Sequence, residues 1–115
     1  MSNLEYRLSV AEERKLLVII RVEPGCLGPD GADHIEGFCQ LAQLAFEPRY
    51  AGIIRWQVVP RYDKSLPELQ YLMANKNLAH EQVEKVLDLI NLSLDDFEIE
   101  TGDRLSMLID KTLRR

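Results

Sequence analysis

The chain opens with a regular alternation of hydrophobic and polar residues that gives way to a continuous apolar run. Over Leu4–Val10 every second residue is apolar, which is the period of a half-buried strand. Segment 15–22 is apolar on both faces and rich in β-branched residues, as a central strand of a sheet is. Because only Ala11–Arg14 separates the two, we expect them to form an antiparallel hairpin.

The next two patterns predict a helix followed by a third strand. In residues 35–46 the apolar side chains recur at three- and four-residue spacing, and the pattern stops before Pro48. Leu41 and Leu44 widen the apolar stripe, so we expect this helix to lie flat on a sheet. Residues 53–59 alternate again and predict a strand. Strand, helix and strand in this order imply a parallel pair with a right-handed crossover.

The remaining segments favour helices. Ser65–Glu68 has the form of a capping box with proline in the first turn, which predicts a helix start. A second helix is predicted to bury apolar residues between Val83 and Ile90. Ser93–Asp96 predicts a short helical turn, and a last helix is expected from about Asp103.

Length and composition describe an ordinary globular chain. It has 115 residues, of which 46% are hydrophobic and 29% charged, so disordered and membrane classes are not indicated. We therefore predict a single α+β domain over 1–115. A small mixed three-stranded sheet with its crossover helix occupies 1–64, and a helical half occupies 65–115.

Charge is distributed unevenly between these two halves. The formal net charge is −5, and residues 65–115 contribute most of it, with ten acidic against six basic side chains. An acidic surface disfavours nucleic acid, because neutralising phosphates requires a positive face. It suits a basic protein partner, or it serves only to keep the domain soluble.

Compartment is inferred from the N-terminus, the apolar runs and the cysteines. The longest apolar run, Leu16–Ile20, is too short to cross a bilayer, and the chain opens without a signal-peptide pattern. Cys26 and Cys39 are its two cysteines, and we expect both to be reduced thiols. These features predict a cytoplasmic protein.

A glycine-rich loop between the central strand and the first helix is a candidate small-molecule or catalytic site. Gly25, Gly28 and Gly31 precede a helix N-terminus, but their spacing matches neither a dinucleotide fingerprint nor a P-loop. Turn formation is the simpler explanation of the glycines.

Three side chains in the same region form a candidate catalytic set. Cys26 would be the nucleophile, and Asp33 and His34 complete the set with His34 as the nearby base. Cys39 falls on the apolar stripe of the helix, so we expect it in the core.

Two groups of mostly acidic residues are candidate metal sites. His80, Glu84 and Asp88 share one helix face, opposite the apolar face, and the second histidine of a zinc-protease motif is absent. The acidic run 95–103 lacks the glycine and the closing glutamate of a calcium loop. We expect neither a metal nor a cofactor.

A basic–aromatic pair recurs every six residues between positions 49 and 62. On an extended chain the arginines would share one face and the aromatic side chains the other. Arginines facing solvent over aromatic residues in the core would explain the pattern, but arginine, tyrosine and tryptophan also dominate interface hot spots. The binding candidates are Arg49, Arg55, Trp56, Arg61 and Tyr62.

Three functions follow, in order of preference. The first is a non-enzymatic interaction or regulatory protein that binds a protein partner or forms a homodimer. The second is a small enzyme or ligand-binding domain that uses the Gly25–His34 loop. The third is a weak nucleic-acid binder through the Arg49–Tyr62 strand.

Overall fold

The computed structural model describes residues 11–114, which fold into an α+β unit with one mixed sheet. The sheet contains four strands in the order β2-β1-β3-β4. The elements are β1 (Leu16–Val22), α1 (Gly31–Phe46), β2 (Ile54–Pro60), β3 (Leu69–Met73), β4 (Lys76–Asn77), α2 (His80–Asp88) and α3 (Leu94–Leu113), with short 3-10 turns at Glu12–Arg14 and Pro24–Leu27. The predicted α+β class with a mixed sheet is confirmed.

The βαβ unit is the part that the residue pattern describes best. β1 and β2 pair in parallel from Leu16 opposite Ile54 to Val22 opposite Pro60, as predicted. α1 connects the two strands and packs against β2. Pro60, which has no N–H to donate, is the last residue of its strand.

The helix predicted from Ser65 is wrong, because this segment forms β3 and pairs antiparallel with β1. Its leucines fit both periods, but Leu69, Tyr71 and Met73 also alternate, and β1 offers a free edge. A two-residue turn at Ala74 and Asn75, both with positive φ, then returns the chain into β4. The sheet therefore has four strands among the described residues.

The hairpin predicted at the N-terminus falls outside the described residues, since the strand expected over Leu4–Val10 precedes residue 11. Within the described part of the chain, the antiparallel neighbour of β1 is β3, and its parallel neighbour is β2. Both edges of β1 are thus paired.

A single helix, α3, replaces the short turn and separate last helix that the sequence predicts. The Ser93 side chain accepts a hydrogen bond of 3.1 Å from the Asp96 N–H, so the predicted cap is correct. Gly102 lies inside the helix, and nothing lies within 4 Å of the position that a Cβ would take there. None of the helices in residues 11–114 is long and apolar enough to cross a membrane.

The core lies on one face of the sheet. Alternate residues of β1 and β2 point into it, and apolar side chains from all three helices close it. At its centre Phe97 of α3 stacks on Trp56, with ring centroids 5.7 Å apart. Phe46 of α1 also packs on Trp56, with ring centroids 4.9 Å apart. Tyr50 and Tyr71 flank the Phe97 ring at 6.3 and 6.4 Å. α3 is therefore fixed to the sheet through aromatic contacts.

A hydrogen bond between Tyr71 and Glu98 makes the free energy of unfolding depend on pH in the alkaline range. The phenol donates to Glu98 Oε2 at 2.6 Å. Burial, together with this carboxylate, raises the pKa of Tyr71 above its ordinary value of 10.0. Because the pKa is raised in the folded state, the stabilisation that the Tyr71 phenol contributes is fully present below pH 10 and is lost as the pH rises further.

We expect Tyr71→Phe to lower the free energy of unfolding by about 1 kcal/mol at pH 7. The difference from the parent protein should shrink above pH 10, because the phenol then ionises in the unfolded chain while burial and Glu98 keep it protonated in the folded one. Urea denaturation at intervals from pH 7 to 11 measures this difference. A difference that stays constant across this range would show that Tyr71 is not the linked group.

Candidate protein-interaction surface

The glycines of the loop before α1 have structural roles. Gly31 is buried, and a Cβ at this position would lie 1.7 Å from the carbonyl oxygen of Pro24. Gly28 has φ of 90°, a backbone conformation that favours glycine. The loop is thus a tight connection that brings the 3-10 turn against the first turn of α1.

The three candidate catalytic residues are all exposed at this loop. Cys26 lies in the 3-10 turn, and Asp33 and His34 lie in the first turn of α1. Within residues 11–114 no hydrogen bond joins their side chains to one another. The nucleophile–base pair suggested by the sequence therefore lacks the contact that would activate the thiol.

The two thiols differ strongly in environment. Cys39 is buried, as the sequence predicts, and burial together with the nearby Glu36 raises the pKa of its thiol from 9.0 to about 11. Cys26 is exposed.

We expect one thiol per folded chain to react rapidly with a disulfide reagent at pH 8, and two in denaturant. Only the thiolate is nucleophilic, and Cys39 is both shielded and protonated at this pH. Cys26→Ser should abolish the fast phase. Equal reaction rates of both thiols in the native protein would contradict this assignment.

Arg49, a predicted binding residue, makes an internal ion pair. Its guanidinium contacts Glu100 of α3 and lies 5.6 Å from the Tyr50 ring centroid. The Tyr50 hydroxyl donates to the same carboxylate at 3.0 Å. This cluster ties α3 to the segment that precedes β2.

Trp56 and Arg61 are also engaged in the fold. The indole of Trp56 is buried and donates to the Arg49 carbonyl at 2.9 Å. Arg61 pairs with Glu23 at 2.5 Å, and its remaining N–H groups donate to the Lys64 and Leu66 carbonyls. These interactions organise the loop that the sequence predicts as a helix start.

The other two candidates, Arg55 and Tyr62, remain exposed but lie apart. Arg55 points away from the core and approaches Glu12 at 3.9 Å. Tyr62 lies beside α1 and donates to Glu36 at 3.1 Å. The recurring basic–aromatic pairs therefore do not form one continuous face.

The outward face of α1 carries apolar side chains that the sequence places on the sheet. Leu41 and Leu44 are 63% and 67% exposed, so the expectation that they widen the buried stripe is wrong. Residues on the other side of the helix fill the core completely, including Ile35, Ala42 and Phe46. α1 therefore presents an apolar ridge to solvent.

A groove follows each side of this ridge. The α1–β2 groove has a volume of about 410 Å³ and is lined by Glu36, Cys39, Gln40, Gln43, Leu44, Val58 and Pro60. The α1–α3 groove has a volume of about 400 Å³ and is lined by Leu27, Asp33, His34, Gly37, Phe38, Leu41, Thr112 and Leu113. Together with Leu41 and Leu44, the two grooves form a continuous candidate surface on the outward side of α1.

Gln43 closes the exposed edge of β2 beside the first groove. Its amide donates to the Trp56 carbonyl at 2.8 Å and accepts from the Val58 N–H at 2.8 Å. One side chain thus occupies the backbone groups with which an added strand would pair. This edge of the sheet is therefore not open to strand addition at its centre.

The candidate metal ligands of the sequence accept hydrogen bonds from other side chains or lie on an exposed helix face. Glu98 and Glu100 accept hydrogen bonds from Tyr71 and Tyr50. His80 approaches Glu84 at 4.0 Å on the exposed side of α2. Among residues 11–114 no group of three or more histidine, cysteine or acidic side chains converges to hold a metal ion.

Comparisons with protein-family models, with curated proteins and with solved structures found no match to this chain.

Proposed function

We propose that this protein is a non-enzymatic interaction protein that binds a protein partner through the outward face of α1. The observation that carries the proposal is the exposure of Leu41 and Leu44, at 63% and 67%, on a helix whose opposite face is fully packed. Because the helix is already anchored by its core residues, these leucines are not needed for its stability. Exposed apolar side chains grouped on one rigid element are typical of binding surfaces.

The shape of this face supports the same proposal. A ridge between two grooves matches the way in which helices pack against other elements, with side chains of one entering the grooves of the other. Tyr62 lies at the margin of the α1–β2 groove, where it adds an aromatic side chain of the kind enriched at interfaces.

Affinity capture from the native host tests the proposal with three forms of the chain: the parent, the double variant Leu41→Glu/Leu44→Glu, and Ile99→Glu as the matched control. Ile99 is 62% exposed on α3, so the control adds a charge at a comparable site outside the proposed surface.

We expect the parent and Ile99→Glu to retain the same partner, and the double variant to lose it. All three should unfold within about 0.5 kcal/mol of one another, since the substituted side chains are exposed. A partner retained equally by all three would refute the proposal.

A further inference from the structure

The outward face of the sheet, opposite the core, carries a group of apolar side chains. Leu17 of β1 lies opposite Leu72 of β3, and residues opposite each other across a sheet point to the same face. Ile19 follows on β1 at strand spacing, and Val59 of β2 lies opposite Arg21. The four apolar side chains are half-buried. Because all three helices pack on the core side, no helix of residues 11–114 covers them.

The turn that precedes β1 brings the chain over this face. Glu12 contacts the Lys15 ammonium at 2.7 Å and approaches the Arg55 guanidinium at 3.9 Å. Arg55 is exposed and lies opposite Leu17, so it belongs to the outward face. A depression of about 390 Å³, whose lining includes Glu12, Leu17 and Gln57, continues from the turn onto the face. The chain before the turn therefore enters at the outward face, where β1 and β2 begin.

The segment that enters there has an alternating apolar pattern that the edges of β1 cannot accommodate. In Leu4–Val10 every second residue is apolar. Both edges of β1 are already paired, with β2 and β3, so this segment cannot extend the sheet beside β1. The segment has seven residues, as many as β1, and an extended chain of this length spans about 23 Å. It is therefore long enough to follow β1 from one end to the other.

A short connection favours this segment over any other occupant of the face. Only residues 11–15 separate Val10 from the beginning of β1. A segment held by so short a connection is present at an effective concentration of about millimolar. A second copy of the chain, or a separate partner, would have to compete with it.

We propose that segment 4–10 of this chain covers the outward face of the sheet with its apolar side chains. Because the chain enters beside Leu17, Val10 packs nearest to that side chain. Leu4 then packs nearest to Val59, at the other end of the face. The inference goes beyond the proposed function, since it concerns the side of the sheet opposite α1, and it assigns the two apolar surfaces to different occupants.

Nuclear Overhauser spectroscopy of the uniformly ¹³C-labelled full chain tests the proposal directly. We expect contacts from the side chains of residues 4–10 to the methyl groups of the four apolar residues of the face, with those of Val10 concentrated on Leu17. A sample that mixes labelled and unlabelled chains in equal amounts separates contacts within one chain from contacts between two copies.

A cysteine introduced on the face provides an independent measurement. Ile19→Cys is made in a Cys26→Ser background, so that the new thiol and the buried Cys39 are the two thiols of the chain. The rate of reaction with a disulfide reagent at pH 8 then reports how far the face is covered, because Cys39 is shielded and reacts slowly.

This rate is compared between the reporter chain and two further variants of it. Tyr6→Ser/Leu8→Ser removes apolar side chains of the segment, and the matched control Glu5→Ser/Arg7→Ser changes the polar positions between them. We expect the new thiol to react about tenfold faster in the apolar variant, because the cover opens more often, and at an unchanged rate in the control.

Three results would overturn the proposal: no contacts between residues 4–10 and the face in the parent, contacts only between differently labelled chains, or equal thiol rates in all three forms. Contacts of residues 4–10 with Leu41 and Leu44 would also overturn it, because the segment would then lie on the α1 surface. Partner capture through Leu41 and Leu44 is measured separately, so the proposed function can hold when this inference fails, and the reverse.

Discussion

Replacing Phe97 with alanine is expected to lower the free energy of unfolding by about 3–5 kcal/mol. Phe97 is 1% exposed and joins α3 to Trp56 of the sheet and to two tyrosines. Removing the ring leaves a cavity that these neighbours line, and aromatic pair interactions are lost as well. This is a large share of the 5–15 kcal/mol by which a domain of this kind is stable.

Urea denaturation followed by the fluorescence of Trp56 and by circular dichroism measures this loss. Ile99→Ala is the control, since that side chain is exposed two residues further along the same helix, and it should change stability by less than about 0.5 kcal/mol. A loss below 1 kcal/mol for Phe97→Ala would mean that α3 is not held to the sheet by this cluster.

The substitution Gly31→Ala is expected to destabilise the fold by about 3 kcal/mol, the upper end for overpacking. The added methyl group would lie 1.7 Å from the Pro24 carbonyl oxygen and 2.7 Å from its carbonyl carbon. This clash can be relieved only by movement of the backbone, because both atoms belong to the main chain.

Gly102→Ala is the matched comparison. Gly102 lies inside α3 with nothing within 4 Å of the position of a new Cβ, so alanine should stabilise the protein by about 0.5–1 kcal/mol. Thermal and urea unfolding of the two variants should thus shift in opposite directions. A neutral Gly31→Ala would show that the loop before α1 tolerates a wider turn.

The βαβ unit is predictable from sequence because its signals are local and agree with one another. The β-branched run that ends at Val22, the helical spacing from Ile35 and the stop before Pro48 each indicate one structure. The hairpin of β3 and β4 was missed because a nonlocal partner, β1, decided between two possible periods. The turn was also hard to predict, because the first of its two positive-φ positions is occupied by Ala74 and not by a glycine.

The candidate surface was only partly accessible from sequence. Leu44 precedes Phe46 by two residues, which is about 200° around a helix, so its outward position was readable from helical geometry. The basic–aromatic pattern predicts Arg49 and Arg61 as binding residues, whereas in the fold both make ion pairs, with Glu100 and Glu23, across long sequence separations. Such pairs leave no periodic signal. Gln43 was missed for the same reason, since its role depends on the edge of β2.

Chemical-shift mapping of the ¹⁵N-labelled protein with the captured partner tests the central claim most directly. Our account predicts that the perturbed amides cluster on residues 36–48 of the α1 region and on residues 58–62 beside it. Perturbations confined to the outward face of β1 at Leu17 and Ile19, or to the loop that carries Cys26, would contradict it.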